Sequence, residues 1–139
     1  MIREIVTDEE ILSKPCETAT AEDAAIADDL VETLLASDEA MCLAANQIGV
    51  AKRVIVYLDD NDQPHVMYNP VLKQALGAFK TVEGCLSLED ESKVTRYDRI
   101  KVAYDELVDG ALAPRKKDFT GWTAQIIQHM IDHCKGKLV

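Results

Sequence analysis

Apolar positions near the start of the chain recur at the spacing of an amphipathic helix. Thr20 is a hydroxyl cap, and Asp23 supplies a carboxylate three residues later, which is a typical helix start. The period then indicates a helix that runs to about Ser37. The positions that carry it are Ala25, Ile26, Leu30, Thr33 and Leu34. A tight passage of small residues follows at 44–49.

The middle of the chain changes to short, β-branched runs separated by turn residues. A strand is predicted at 53–58, before the acidic turn at 59–62, and a second at 65–68 is stopped by Asn69 and Pro70. Further strands are predicted at 79–87, 94–97 and 100–104, with a turn at Asp109-Gly110. The basic run Arg115-Lys116-Lys117 is interpreted as a solvated loop.

A last helix is predicted after residues 119–121. Its apolar residues, which are Trp122, Ile126, Ile127, Met130 and Ile131, cover more than one face. A helix that is apolar nearly all round is a buried helix, and Gly136 is a suitable terminator. The pattern therefore predicts one α+β domain over residues 1–139, with strands around the C-terminal helix.

Composition narrows the function. A formal net charge of −10 disfavours nucleic acid as a partner, because a polyanion is bound through lysine and arginine. No apolar run is long enough to span a bilayer, and the start of the chain has no secretion signal, so a cytoplasmic protein is expected. Four cysteines in a reducing compartment favour metal ligation or burial over disulfides.

The candidate chemistry lies in residues 128–133. His129 and His133 are four apart, so a helix places both on one face, where they can bind one metal ion. Cys85 is the candidate third ligand, and three ligands leave a fourth position for water. Asp132 is a candidate to orient a ligand histidine. The alternatives are two structural histidines, hydrogen-bonded to backbone, and a solvated aspartate.

Three segments together resemble the motifs of the peptide deformylase family. Glu83-Gly84-Cys85-Leu86-Ser87 matches its glutamate-glycine-cysteine-x-serine motif, and Ala44-Ala45-Asn46-Gln47 matches the second half of its glycine-rich motif. The third match is the helical segment from His129, in which an aspartate directly precedes the last histidine. The order and spacing agree over nearly the whole chain.

The resemblance implies a fold, a reaction and a site. Family members have antiparallel sheets around a central helix, and they remove the formyl group from the N-terminal methionine of nascent proteins. The implied metal ligands are Cys85, His129 and His133, with Fe²⁺ favoured and Zn²⁺, Ni²⁺ or Co²⁺ as alternatives. Gln47 and the backbone N–H of Leu86 would polarise the formyl carbonyl. Substrate would lie beside Cys42, Leu43 and Gly84.

The chain also departs from the family pattern. Both motif glycines are replaced, by Ala40 and Cys42. Side chains there narrow the cleft, and Cys42 is either a second sulfur near the site or, as favoured, a small buried hydrophobe. Met130 stands where the motif has its catalytic glutamate, and a thioether cannot transfer a proton. Glu83 is a candidate substitute base, although pairing with an arginine such as Arg96 is the favoured role.

Two functions remain open on the sequence. The first is a deformylase-type hydrolase with weak or altered activity. The second is a non-catalytic module that binds metal or formylated peptides, and a relic without metal is least favoured. The family's C-terminal extension, linked to ribosome docking, has no counterpart here. With the acidic charge, this predicts formylated N-termini as partners and weak or no ribosome docking.

Overall fold

The computed structural model describes residues 1–85 and 87–139, without the side chains of residues 88–90. Its helices are α1 (Glu9–Leu12), α2 (Ala24–Leu35) and α3 (Gly121–Cys134), with short 3₁₀ turns at Ala21–Asp23 and Ala45–Ile48. Its strands are β1 (Cys42–Ala44), β2 (Val54–Leu58), β3 (Pro64–Cys85), β4 (Leu88–Val108) and β5 (Ala111–Thr120). They form one antiparallel sheet in the order β1-β2-β3-β4-β5.

The predicted start of the first long helix is confirmed by its capping contacts. The Thr20 hydroxyl accepts from the Glu22 N–H at 3.3 Å, and the Thr20 N–H donates to the Asp23 carboxylate at 2.8 Å. These bonds satisfy backbone donors that a helix start leaves free. The helix ends at Leu35, close to the predicted boundary.

The strands predicted at 65–68 and 79–87 belong to one long strand, β3, so the prediction of two separate strands was wrong. Asn69 adopts a φ of 54° at a register shift between Tyr68 and Val71. Its side chain bonds to the N–H and C=O of Ala19 at 2.8 and 2.9 Å, which holds the bulge in place. The chain bends there and exchanges its partner strand from β2 to β4. The runs at 94–97 and 100–104 are likewise both part of β4.

The loop prediction for Arg115-Lys116-Lys117 was also wrong, because these residues lie in β5. The strand begins after Asp109 and Gly110, whose φ values of 51° and 81° suit a tight hairpin. Its basic side chains are exposed at the sheet edge, and Pro114 is tolerated there. Tertiary pairing with β4 therefore overrides the loop-like composition.

The core consists of two apolar clusters that pack on opposite faces of β2. One apolar cluster joins α3 to β2, β3 and β4, and a second joins α2 to the opposite face of β2. The Gln128 amide bonds to the N–H and C=O of Tyr97 at 2.9 and 2.8 Å, which fixes α3 against β4. The predicted fold class is confirmed: antiparallel strands surround a buried C-terminal helix. No helix in the described residues is long and apolar enough to cross a membrane.

Candidate metal and substrate site

The structure brings the three candidate ligands together. Cys85 ends β3, and α3 presents His129 and His133 one turn apart towards it. The Cys85 Sγ lies 3.4 Å from His133 Nε2, which lies 3.1 Å from His129 Nε2. All three atoms are within 4.8 Å of one another. A tetrahedral ion spaces such ligands about 3.3–3.6 Å apart, so these residues fit a divalent metal.

The thiol of Cys85 is in the form that binds metals. Burial opposes its ionisation, but hydrogen bonds with His129 and His133 outweigh burial and lower its pKa to about 5. Burial also disfavours the charged form of His129, yet contacts with Cys85 and Glu83 raise the pKa of this imidazole. The lowered pKa of Cys85 favours its thiolate, which is the form of cysteine that binds a divalent cation.

Glu83 is a buried ion-pair partner rather than a free base. Its carboxylate accepts bonds of 2.7–3.1 Å from Arg96, one of 2.9 Å from Gln125, and one of 2.7 Å from His129 Nδ1. Burial alone would raise the pKa of Glu83, but these donors lower it to about 2. The predicted pairing with Arg96 is confirmed, and the saturated carboxylate has no oxygen left for a substrate proton.

Asp132 does not orient a ligand histidine directly, which corrects the sequence-based expectation. Its carboxylate accepts from Arg96 Nη1 at 2.6 Å and lies 3.7 Å from Lys137 Nζ. Arg96 thus bridges Asp132 to Glu83, and Glu83 holds the ring of His129. The sequence predicted the pair of Glu83 with Arg96 but missed the contacts of Arg96 with Asp132 and of Glu83 with the ring of His129.

Gln47 is fixed beside the cluster. Its Oε1 accepts from the Ala44 N–H at 2.9 Å, so Nε2 must point the other way. That nitrogen lies 3.3 Å from the Cys85 Sγ and 3.2 Å from the Ser87 hydroxyl. The Cys85 Sγ and the Ser87 hydroxyl therefore share this donor group, which lies directly beside the three candidate ligands. Leu86, the other expected donor, lies outside the described residues.

A cavity of about 410 Å³ opens beside the cluster. Its apolar walls come from Met41, Cys42, Val82, Trp122, Ile126 and Met130. Gly84 also lines it, and a Cβ there would meet no atom within 4 Å. Leu43 is 0% exposed, packs in the α2 cluster and pairs with Val56 of β2, so it does not line this cavity.

Cys42 and Met130 make this wall unreactive. Burial raises the pKa of Cys42 to about 12, so its thiol is neutral, and it packs against the α3 cluster. This supports the interpretation of Cys42 as a small hydrophobe. Met130 is 1% exposed and lines the cavity directly after His129.

The outer edge of β1 is open beside this cavity. The Leu58 N–H donates to Met41 C=O at 2.9 Å, whereas the Ala44 N–H turns away from β2 to Gln47. Backbone groups alternate sides along a strand. The N–H and C=O of Cys42 therefore face the edge, on which no described strand pairs.

Comparison with known proteins identifies the family of this site. The model of the polypeptide deformylase family matches residues 2–139. The chain belongs to the peptide deformylase family. Its members are metal-dependent hydrolases, which agrees with the donor set found at the cavity. A peptide deformylase of Clostridium beijerinckii is 41% identical over 140 residues, covering all of both chains. Peptide deformylase 3 of Shewanella oneidensis is 37% identical over 114 residues, 80% of this chain and 68% of that protein.

Solved structures of deformylases share the whole fold. A peptide deformylase of Thermus thermophilus matches with a TM-score of 0.85 and 29% identity, covering 99% of this chain and 83% of that one. The Thermotoga maritima enzyme gives 0.86 and 26%, with coverages of 99% and 95%. A class I type b enzyme of Acinetobacter baumannii, bound to Met-Ala-Ser, gives 0.85 and 25%, with coverages of 99% and 97%.

Proposed function

We propose that this chain is a metal-dependent hydrolase that acts on the N-formyl group of methionyl peptides, with turnover limited by Met130. One observation carries the proposal. A thiolate and two imidazoles converge beside a cavity, and the Gln47 Nε2 donor lies 3.3 Å from the same sulfur. The groups that would bind a metal and the amide that would donate to a carbonyl oxygen therefore lie side by side.

The open edge of β1 supports a peptide substrate. An extended chain would add to this edge by pairing with the backbone of Cys42, as peptides do on exposed strands. The apolar cavity walls suit a methionine side chain, and Gly84 leaves room for the approach of the backbone. The Met-Ala-Ser complex of the Acinetobacter relative has the product form of such a peptide.

The cluster and Gln47 would divide the chemical work. A divalent metal on Cys85, His129 and His133 would polarise the formyl carbonyl and lower the pKa of a water molecule. Gln47 would donate to the oxygen as negative charge develops on it, because its Oε1 is already anchored to Ala44. The resemblance favours Fe²⁺, with Zn²⁺, Ni²⁺ and Co²⁺ as alternatives, in a cytoplasmic protein.

Proton transfer is the step that the site supports least. Met130 cannot accept or donate a proton, and Glu83 is occupied by Arg96, Gln125 and His129. General acid–base help is typically worth about 10²–10⁴-fold. This observation favours a second candidate, a non-catalytic module of the same fold that binds metal or formylated peptides.

Anaerobic loading with Fe²⁺ and Zn²⁺ in separate samples tests the two candidates. Hydrolysis of formyl-Met-Ala-Ser and binding of a hydroxamate are measured on each sample. Slow, metal-dependent release of formate would support the hydrolase. Tight hydroxamate binding with no formate release would support the binding module. Absence of metal, hydroxamate and formyl-Met-Ala-Ser binding would contradict both candidates.

A further inference from the structure

Two buried polar atoms beside the metal cluster have no hydrogen-bond partner among the described residues. They are Oδ1 of Asn46 and Nδ1 of His133, in side chains of residues that are 1% and 0% exposed. The two residues are already joined, because Asn46 Nδ2 donates to the His133 backbone carbonyl at 2.9 Å. A carbonyl requires a donor, so the atom of the Asn46 amide that faces it must be the nitrogen. The other atom, Oδ1, is therefore the free acceptor.

The two ligand histidines differ in their second ring nitrogens. His129 Nδ1 is held by Glu83 at 2.7 Å, whereas His133 Nδ1 has no carboxylate because Asp132 is bonded to Arg96. When a histidine binds metal through Nε2, its Nδ1 carries a hydrogen and requires an acceptor. Among the described residues, Asn46 Oδ1 is a buried side-chain acceptor without a partner, in a residue that already contacts His133.

We propose that Asn46 is a positioning residue that accepts a hydrogen bond from His133 Nδ1–H when a divalent metal is bound. The inference rests on the metal site proposed above. No hydrogen bond joins these two atoms in this structure, so a rotation of the ring or the amide must accompany metal binding. One amide would then hold both the backbone and the ring of the same ligand.

The position of Asn46 gives this contact a wider role. Asn46 and Gln47 are consecutive in the Ala45–Ile48 turn. Asn46 holds the histidine side of the cluster, and Gln47 contacts Cys85 on the other side. The turn therefore connects the donor proposed to bind the carbonyl with the metal ligands. A substitution at Asn46 is expected to alter the positions of both.

Zinc affinity of the full chain, measured by chelator competition, tests the proposal. Asn46→Ala removes both amide contacts and should weaken zinc binding about 10–100-fold, the usual effect of losing such a partner. Asn46→Asp keeps an acceptor but loses the donor to the backbone, so its affinity should lie closer to wild type. Thr33→Val is the matched control, because among the described residues this buried hydroxyl bonds to the Arg3 N–H and the Asp29 carbonyl, away from the cluster.

Nuclear magnetic resonance of the zinc-loaded wild type supplies a readout that needs no variant. A slowly exchanging His133 Nδ1–H with an Overhauser effect to the Asn46 amide hydrogens is expected. Its absence would overturn the inference, as would unchanged zinc affinity in a folded Asn46→Ala protein. An equal loss of affinity in Thr33→Val would show a general stability effect and would also overturn it. If wild type binds no zinc, the metal site itself fails and the inference fails with it.

Discussion

The two sides of the cavity differ in what they can do to a substrate. On the cluster side, Cys85, His129 and His133 are backed by a saturated network through Glu83 and Arg96. On the apolar side of the lining, Cys42 and Met130 present only a neutral thiol and a thioether. Metal binding needs donors in fixed positions, whereas turnover also needs a group that moves a proton. The comparison shows three candidate ligands held together beside a wall whose side chains cannot transfer a proton.

Helix α3 contributes residues both to the cluster and to the apolar wall. His129 and Met130 are neighbours on α3, and successive helical residues project about 100° apart. The ring of His129 therefore meets Glu83 and the cluster, while Met130 joins the apolar contacts of the wall. Residue 130 therefore belongs to the wall, whereas the contacts within the cluster are made by its neighbour His129.

Removal of a ligand from the cluster should give the largest effect, a loss of bound metal. Cys85→Ala removes the thiolate, so metal content should fall from roughly one ion per chain to near zero after dialysis. Elemental analysis measures the content, and X-ray absorption of wild type should show one sulfur and two nitrogen ligands. Cys16→Ala, which removes a thiol that is not part of the cluster, is the control. Full metal content in Cys85→Ala would disprove the ligand assignment.

Restoring a carboxylate to the wall is the next test. Wild-type turnover of formyl-methionyl peptides should lie at least ~10²-fold below an ordinary family member, and Met130→Glu should recover a good part of this loss. Met130→Gln has a similar shape without a base and should recover nothing. Wild-type turnover at ordinary family rates would show that another group supplies the base. Metal-loaded Met130→Glu without recovery would favour the binding module.

Acid should reduce the contribution of Glu83 to the stability of the folded protein. The pKa of Glu83 is lowered from an ordinary value of 4.5 to about 2 by its donors, against the effect of burial. A lowered pKa contributes stability that is fully present above about pH 4.5 and is lost as pH falls towards 2. His129, with a raised pKa, stays protonated in both folded and unfolded chains across this window.

Urea unfolding of metal-free protein between pH 6 and pH 3 measures this dependence. The unfolding free energy should fall more steeply with acid in wild type than in Glu83→Gln, because the variant has no carboxylate to protonate. Equal slopes in the two proteins would mean that Glu83 does not contribute through its ionisation.

Ribosome association should give the smallest signal. A chain with a formal net charge of −10 is repelled by the phosphates of ribosomal RNA. Co-sedimentation with ribosomes at physiological salt should therefore equal a no-ribosome blank. Tight binding that weakens with salt would reveal a basic docking surface, for which the exposed Arg115-Lys116-Lys117 segment of β5 would be the first candidate.

The sequence alone predicted the candidate ligand set, and it identified the family and the class of fold. His129 and His133 are four residues apart, and helical period by itself puts them on one face. The intact Glu83–Ser87 motif supplied Cys85, and the departure at Met130 was visible without coordinates. These features are local, so spacing and residue type were enough to predict them.

The tertiary structure decided which partners each site residue has. Glu83 and His129 are 46 positions apart, and Asn46 and His133 are 87 apart. No local pattern encodes such pairs, so the sequence assigned histidine orientation to Asp132 rather than to Glu83. The same holds for β5, where pairing with β4 turned a basic, loop-like run into a strand. Periodicity fixes what a segment presents on each face, whereas the partner of that face depends on how distant segments pack.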